Sequence, residues 1–324
     1  MARSAVVPRI VSIGAAVQDV FLLGKIFRPE REDDGLKAEF NLGSKNEVEE
    51  VVFSTGGGAT NASVTFARQG LHSMYMGRIG RDIAGRAVLD ALHADEVDTT
   101  LVLESKQYNT GYSVLMLAPN GERTILTYRG ASNHYDLKDS HFHGIEADWF
   151  YVSSLSGDFD ALKRIISYAK THGIRVAVNP GKGELAHRKE FLELMKSCHI
   201  LSVNKEEMQQ LIPENDTKKL LQKATRIVPL VLVTDGPKGS IACDGQSIYR
   251  AGLYKDVKVI DRSGAGDAFT SGFVAKIASG GSIEAAMTFA SANSTSVVTQ
   301  LGAKPGILRL HATIDPMKVA VAQL

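Results

Sequence analysis

Through the second half of the chain, short apolar runs alternate with amphipathic stretches, and this alternation limits the fold more than any other feature. Residues 149–152, 174–179, 200–203 and 230–234 are brief, apolar and rich in β-branched side chains, which predicts strands. Between them lie stretches with helical spacing, such as 159–171. Strand–helix units in series form a mostly parallel sheet with helices on both faces, the α/β class. The first half begins the same way. A strand is expected at 9–14, a helix at 58–70, a strand at 74–77 and a helix at 85–94.

Two pieces break the rhythm. Residues 110–128 alternate around Pro119-Asn120-Gly121, a hairpin pattern, and residues 21–53 are more polar with few helical signals. The pieces at about 20–53 and 105–129 are expected to form a small β lid over one sheet edge, within one domain spanning 1–324. With 44% hydrophobic and 23% charged residues, the chain can bury a sizeable core. A net charge of +1 gives no broad electrostatic case for nucleic acid or an anionic membrane as partner. Cys198 and Cys243 are too few and too far apart for a disulfide framework or a zinc site. The N-terminal apolar run is broken by Ser12, Gln18 and Asp19, so it reads as a buried strand rather than a signal peptide. No run reaches membrane-spanning length, and a cytoplasmic location is the default expectation.

The densest chemistry lies at Asp261-Arg262-Ser263-Gly264-Ala265-Gly266-Asp267. An alternating stretch at 254–260 predicts a strand before it, and residues 268–278 predict a helix after it. Strand, glycine-rich turn and helix together present free backbone N–H groups at a positive helix end, an anion site with phosphate as its usual occupant. A carboxylate beside bound phosphate is electrostatically unfavourable unless it takes a proton from an attacking hydroxyl, which is the role Asp267 would have. The plain alternative is a tight turn with Asp267 as helix cap.

Other motifs admit two readings as well. Thr55-Gly56-Gly57-Gly58-Ala59-Thr60-Asn61 lets a ligand approach the backbone closely, with Asn61 as donor and acceptor, or is a flexible turn before a helix. Asp19, five residues after Gly14 and placed at the end of the first strand, can accept two hydroxyl hydrogen bonds or sit in a surface turn. Asn204-Lys205-Glu206-Glu207 reads by itself as a helix cap with acidic first-turn residues. Thr234-Asp235-Gly236-Pro237-Lys238-Gly239 reads as a strand end with a tight turn. No histidine cluster suggests a metal set; His141 and His143 lack partners.

In this order along residues 10–305, the motifs resemble those of the PfkB carbohydrate kinases, the ribokinase-like family. Gly77 to Gly85, Gly-Arg-Ile-Gly-Arg-Asp-Ile-Ala-Gly, is similar to the family's N-terminal signature, and the Gly264–Asp267 segment to its C-terminal one. The resemblance implies a three-layer sandwich with a β lid and ATP-dependent phosphorylation of a hydroxyl on a small sugar. Gly264, Ala265 and Gly266 would form the anion hole and Asp267 the general base. Asp19, Gly57, Gly58, Asn61 and Arg129 would contact substrate; Asn204, Thr234, Gly236, Gly239 and Asn293 would contact the nucleotide. Glu207 would organise Mg²⁺ through water, and Asp261 with Ser263 are the candidates for a monovalent cation such as K⁺. The chain departs from the family at Arg262, where Thr is usual, at Gly58, where ribokinases tend to have Lys, and at Val17, where they often have Asn. A nucleoside is the alternative substrate, with Phe21, Phe40 or Tyr112 as candidate stacking partners for a base. A non-catalytic sugar-binding regulator would discard the base, and Asp267, Asn204 and Glu207 are all present. A homodimer through the lid strands stays open, because the charged stretch 28–34 suits a solvated face equally well.

Overall fold

A computed structural model describes residues 7–32, 35–120 and 122–324. Its frame is a nine-stranded sheet. Six strands run parallel in the spatial order His72–Met76, Arg9–Ile13, Trp149–Val152, Arg175–Val178, Ile200–Asn204, Leu230–Thr234. Ser240–Cys243, Ser247–Ala251 and Ala320–Gln323 then extend the sheet antiparallel.

The strands are apolar on both faces because helices cover both. Phe150 and Val152 point into a core with Leu162 and Ile165 of the Phe159–His172 helix and Leu220 of the Thr217–Thr225 helix. Their neighbours Trp149 and Tyr151 point the other way, towards Phe66 of the Gly58–Arg68 helix, Phe273 of the Ala265–Ala278 helix and Met287 of the Ile283–Val298 helix. Phe66 and Phe273 are fully buried, and each contributes on the order of 2 kcal/mol by leaving water.

A second sheet of four strands stands apart from the first, in the order Arg123–Tyr128, Gly111–Leu117, Val17–Leu23, Glu50–Gly56. Gly121 of the expected hairpin turn lies outside the described residues, as do Asp33 and Asp34 of the charged stretch. Two expectations are corrected. Asp19 is not at the end of the first strand, which stops at Ile13; it is the third residue of Val17–Leu23 in the small sheet. Residues 254–260 form no strand. Their alternating Val257, Val259 and Ile260 are exposed, and the edge offered by Ser247–Ala251 is taken by Ala320–Gln323 instead. Alternation reports a strand only where a partner edge is free to pair with it.

Candidate active site

In open α/β sheets, ligands bind beyond the carboxyl ends of the strands, and the candidate residues gather there. After Ile13 the chain passes through Gly14 into the small sheet, whose strand Glu50–Gly56 leads straight into the Gly58–Arg68 helix. Asp267 enters from the other side, in the first turn of the Ala265–Ala278 helix. Gly264 caps that helix with φ of 75°, a left-handed conformation that favours glycine, and a Cβ there would lie 2.5 Å from the Ala303 Cβ. The first amides of this helix have no carbonyl four residues back to bond. The Ala265 amide makes only a long contact of 3.4 Å to the Arg262 carbonyl.

Asn61 joins the two sides. Its Nδ2 donates to Asp267 Oδ2 at 2.9 Å across 206 residues of sequence. Its Oδ1 is buried without a hydrogen-bond partner, an acceptor that a ligand hydroxyl would satisfy. Gly58 makes the approach possible: a Cβ there would fall 2.2 Å from Ser153 Oγ and 3.2 Å from Asp267 Oδ1. Burial pushes the Asp267 carboxyl above the usual carboxylate range, while the Asn61 hydrogen bond and the Lys304 ammonium pull it back. Asp19 is paired in register with Ser54 and Ser113, and its carboxylate overlies Gly56. Burial lifts it to about 6, opposed by Lys304 and by the Ser113 hydroxyl that donates to it.

Lys304 is the residue that the sequence did not reveal. It is 6% exposed, and its Nζ donates to the Thr55 carbonyl at 2.8 Å and to Thr60 Oγ1 at 2.9 Å. Burial pushes its ammonium down to about 7, with Asp19 and Asp267 opposing that shift. By resemblance the run 298–305 that contains it belongs to the region flanking the adenine, and no local pattern gives the lysine itself a role.

A second group assembles at the far strand ends. Asn204 and Thr234 are register partners on adjacent strands. Gly236 and Gly239 close the turn that follows, the Gly239 amide donating to the Gly236 carbonyl at 3.1 Å. Asn204 and Glu207 cap each other: the Glu207 amide donates to Asn204 Oδ1 at 2.8 Å, and the Asn204 amide to Glu207 Oε2 at 2.9 Å. Glu207 keeps its other oxygen free, which suits a Mg²⁺ ion held through water. A cavity of about 420 Å³ beside this turn includes Lys205, Lys238 and Arg250, but its Met208 and Leu220 belong to the core opposite the Ala265–Ala278 helix.

Several expected contacts are not made. Asn293 is fully buried, its Nδ2 donating to the Ala268 carbonyl and its Oδ1 accepting from the Leu308 amide, both at 2.8 Å. It braces the Ala265–Ala278 helix against the C-terminal segment, and at 0% exposure it presents no surface to a nucleotide. Arg129 is exposed, and its side chain makes no hydrogen bond or ion pair with the described residues. Only its backbone comes near the site, beside Gly111. Asp261 is buried, accepting from the Ser263 amide and hydroxyl at 3.0 and 2.8 Å and from the Gly302 amide at 3.1 Å. The Arg123 guanidinium stands 3.9 Å from the same carboxylate. Positive charge is already supplied there, so Asp261 and Ser263 do not fit a monovalent cation site. Among the described residues, no group of three acidic, histidine or cysteine side chains could hold a metal ion, and no helix is long and apolar enough to cross a membrane.

The architecture is the ribokinase-like α/β fold. Ribokinase from Arabidopsis thaliana, solved with ribose and ATP, matches with a TM-score of 0.78 at 23% identity, over 94% of this chain and 96% of that one. Adenosine kinase from Sinorhizobium meliloti matches with a TM-score of 0.74 at 23% identity, over 92% and 96%. Residues 11–308 match the family model described as pfkB family carbohydrate kinase. The chain therefore belongs to the pfkB family, whose members are ATP-dependent carbohydrate kinases. In sequence it is similar to ribokinase of Haemophilus influenzae, 26% identical over 270 residues, which is 80% of this chain and 86% of that protein.

Proposed function

We propose that the chain transfers the γ-phosphoryl group of ATP to a hydroxyl of a small sugar, with Asp267 as general base. The observation that carries this is the Asn61–Asp267 pair, a partly buried carboxylate at a helix N-terminus beside an amide oxygen with no partner. Asp19 and Asn61 accept substrate hydroxyls, and Gly57 and Gly58 leave the backbone bare for a close approach. The small sheet acts as a lid that carries Asp19 and excludes water. Asp267 takes the hydroxyl proton as that oxygen bonds to phosphorus and the bond to the ADP oxygen breaks. The amides of Gly264, Ala265 and Gly266 face the charge on the transferring group.

Asn204, Thr234, Gly236 and Gly239 would hold the nucleotide, and Glu207 would hold Mg²⁺ through water. When bound, Mg·ATP supplies the phosphoryl group and the metal neutralises its charge. K⁺ is not required in this reading, because Arg123 faces Asp261. For a nucleoside substrate only Phe40 of the expected aromatics stays available, exposed and packed edge-on against Phe27. Phe21 is fully buried, and Tyr112 pairs with Gln18, on the face of the small sheet away from Asp19. A homodimer through the small sheet would use Val51, Phe53, Ile125, Leu126 and Tyr128, which are exposed on its two edge strands.

The test is Mg·ATP-dependent ADP release across sugars, sugar phosphates and nucleosides, with and without K⁺. Turnover is expected on a sugar and should fall by about 10²–10⁴ in Asp267→Asn, the usual contribution of a general base. Near wild-type turnover by that variant overturns the assignment.

A further inference from the structure

The charges around the site are unevenly shared. Four carboxylates converge from separate elements: Asp19 on the small sheet, Asp267 on the Ala265–Ala278 helix, Asp261 before it, and Asp95 after the Ile83–Ala94 helix. Four cations oppose them, and two of these fall on Asp95: Arg309 Nη2 donates to its Oδ1 at 3.2 Å. Arg68 is committed to Asp95, its Nε and Nη2 donating to the two carboxylate oxygens at 2.7 and 2.9 Å. Arg123 faces Asp261. Lys304 makes no ion pair within 4.0 Å with the described residues; bonded to Thr55 and Thr60 on either side of the glycine that Asp19 overlies, it is the cation whose charge acts on both Asp19 and Asp267. One cation shared by two carboxylates leaves one excess negative charge, the condition in which a site accepts one proton.

Lys304 is also fastened at both ends. Its carbonyl accepts from Arg68 Nη1 at 2.8 Å. At the other end its ammonium bonds Thr60 Oγ1, which in turn donates to the Gly56 carbonyl at 2.7 Å, and it bonds the Thr55 carbonyl directly. These are the residues over which Asp19 lies and from which the Asn61 helix departs. An ammonium turned out to solvent would lose the second of these connections.

We propose that Lys304 is a positioning residue. Its buried ammonium is the built-in cation that keeps Asp19 and Asp267 ionised and seats the Thr55-Gly56-Gly57 junction beneath the substrate. This rests on the kinase reading, and on Asp267 as its base. It assigns a role to a side chain that touches neither substrate nor phosphate.

Lys304→Gln tests the charge separately from the bonds, because glutamine keeps N–H donors but carries no charge. The ratio kcat/KM is measured from pH 5 to 9 for the best substrate. The acid limb of Lys304→Gln should move up by about 1 pH unit, the loss expected when a cation is removed beside a carboxylate. The two profiles should converge near pH 9, where wild-type Lys304 has itself given up its proton. Lys304→Arg should restore the wild-type limb. An unchanged limb in Lys304→Gln overturns the proposal, since a purely structural lysine would lower activity at every pH alike.

A second readout needs no turnover. The unfolded chain holds the Lys304 proton up to about 10.4, whereas the folded chain releases it near 7. Wild-type stability should therefore rise between those pH values relative to Lys304→Gln, read as the difference in urea midpoints. A difference that stays flat with pH overturns the buried cation. Should no substrate turn over at all, the kinase reading fails, while this difference still decides whether the fold takes the Lys304 ammonium out of water.

Discussion

Asp267 depends on its neighbours for its working state. Burial favours its protonated form, and a protonated carboxyl cannot act as a base. The Asn61 hydrogen bond favours the ionised form. Asn61→Ala should therefore shift the acid limb of kcat/KM to higher pH, and lower its plateau because a substrate contact is lost as well. Profiles between pH 5 and 9 check this; a lower plateau with an unmoved limb would leave Asn61 as a substrate contact only. Asp267 and Asn61 were both legible in the sequence, each from a glycine-rich turn before a helix. Their hydrogen bond was not, because a contact across 206 residues has no local signature.

At the scale of elements, the Ala265–Ala278 helix shows how a turn is specified. Its apolar residues are spread round the cylinder, so packing supports it on several sides, through Phe269, Phe273, Val274 and Ala275. Its start is set by Gly264. Gly264→Ala forces a side chain into a left-handed conformation, at about 1–2 kcal/mol, and drives its Cβ against Ala303. The expected outcome is a lower thermal midpoint together with a turnover loss larger than the stability loss explains, since the amides beside Asp267 are displaced. Thermal melts and initial rates on the same preparation check it; unchanged turnover would argue against the anion-hole role. The misplaced strand at 254–260 is the opposite lesson. Its alternation is real, but strand formation needs a partner edge, and that edge was occupied by residues 320–323, which sequence proximity does not connect.

At the scale of the whole molecule, Arg68 and Asp95 hold three regions together. Arg68 ends the Gly58–Arg68 helix, Asp95 follows the Ile83–Ala94 helix, and Arg68 Nη1 also donates to the carbonyls of Lys304 and Ile307. Both side chains are largely buried, 12% and 8% exposed. Removing Arg68 leaves the buried Asp95 with only the exposed Arg309, whose Nη2 donates to it at 3.2 Å, and breaking a buried pair is destabilising by up to about 3–5 kcal/mol. Arg68→Ala should therefore lower the urea midpoint strongly, and Arg68→Ala with Asp95→Ala should recover part of the loss. Equilibrium unfolding of the single and double variants checks this; strictly additive losses would mean that the pair does not act as a unit.

The sequence by itself determined the class of fold, since a run of strand–helix units that must bury both faces of each strand has few solutions. It also determined the family, through motifs whose order along the chain carries the resemblance. Only the tertiary structure decided which candidates meet. It joined Asn61 to Asp267 and set Asp19 on the small sheet. It turned Asn293 into an internal brace and left Arg129 on the surface. It also brought Lys304, an unremarked loop lysine, into the middle of the carboxylates. The reason is physical: backbone propensity and periodicity act within a few residues, whereas burial and electrostatic pairing depend on neighbours that only the folded chain supplies.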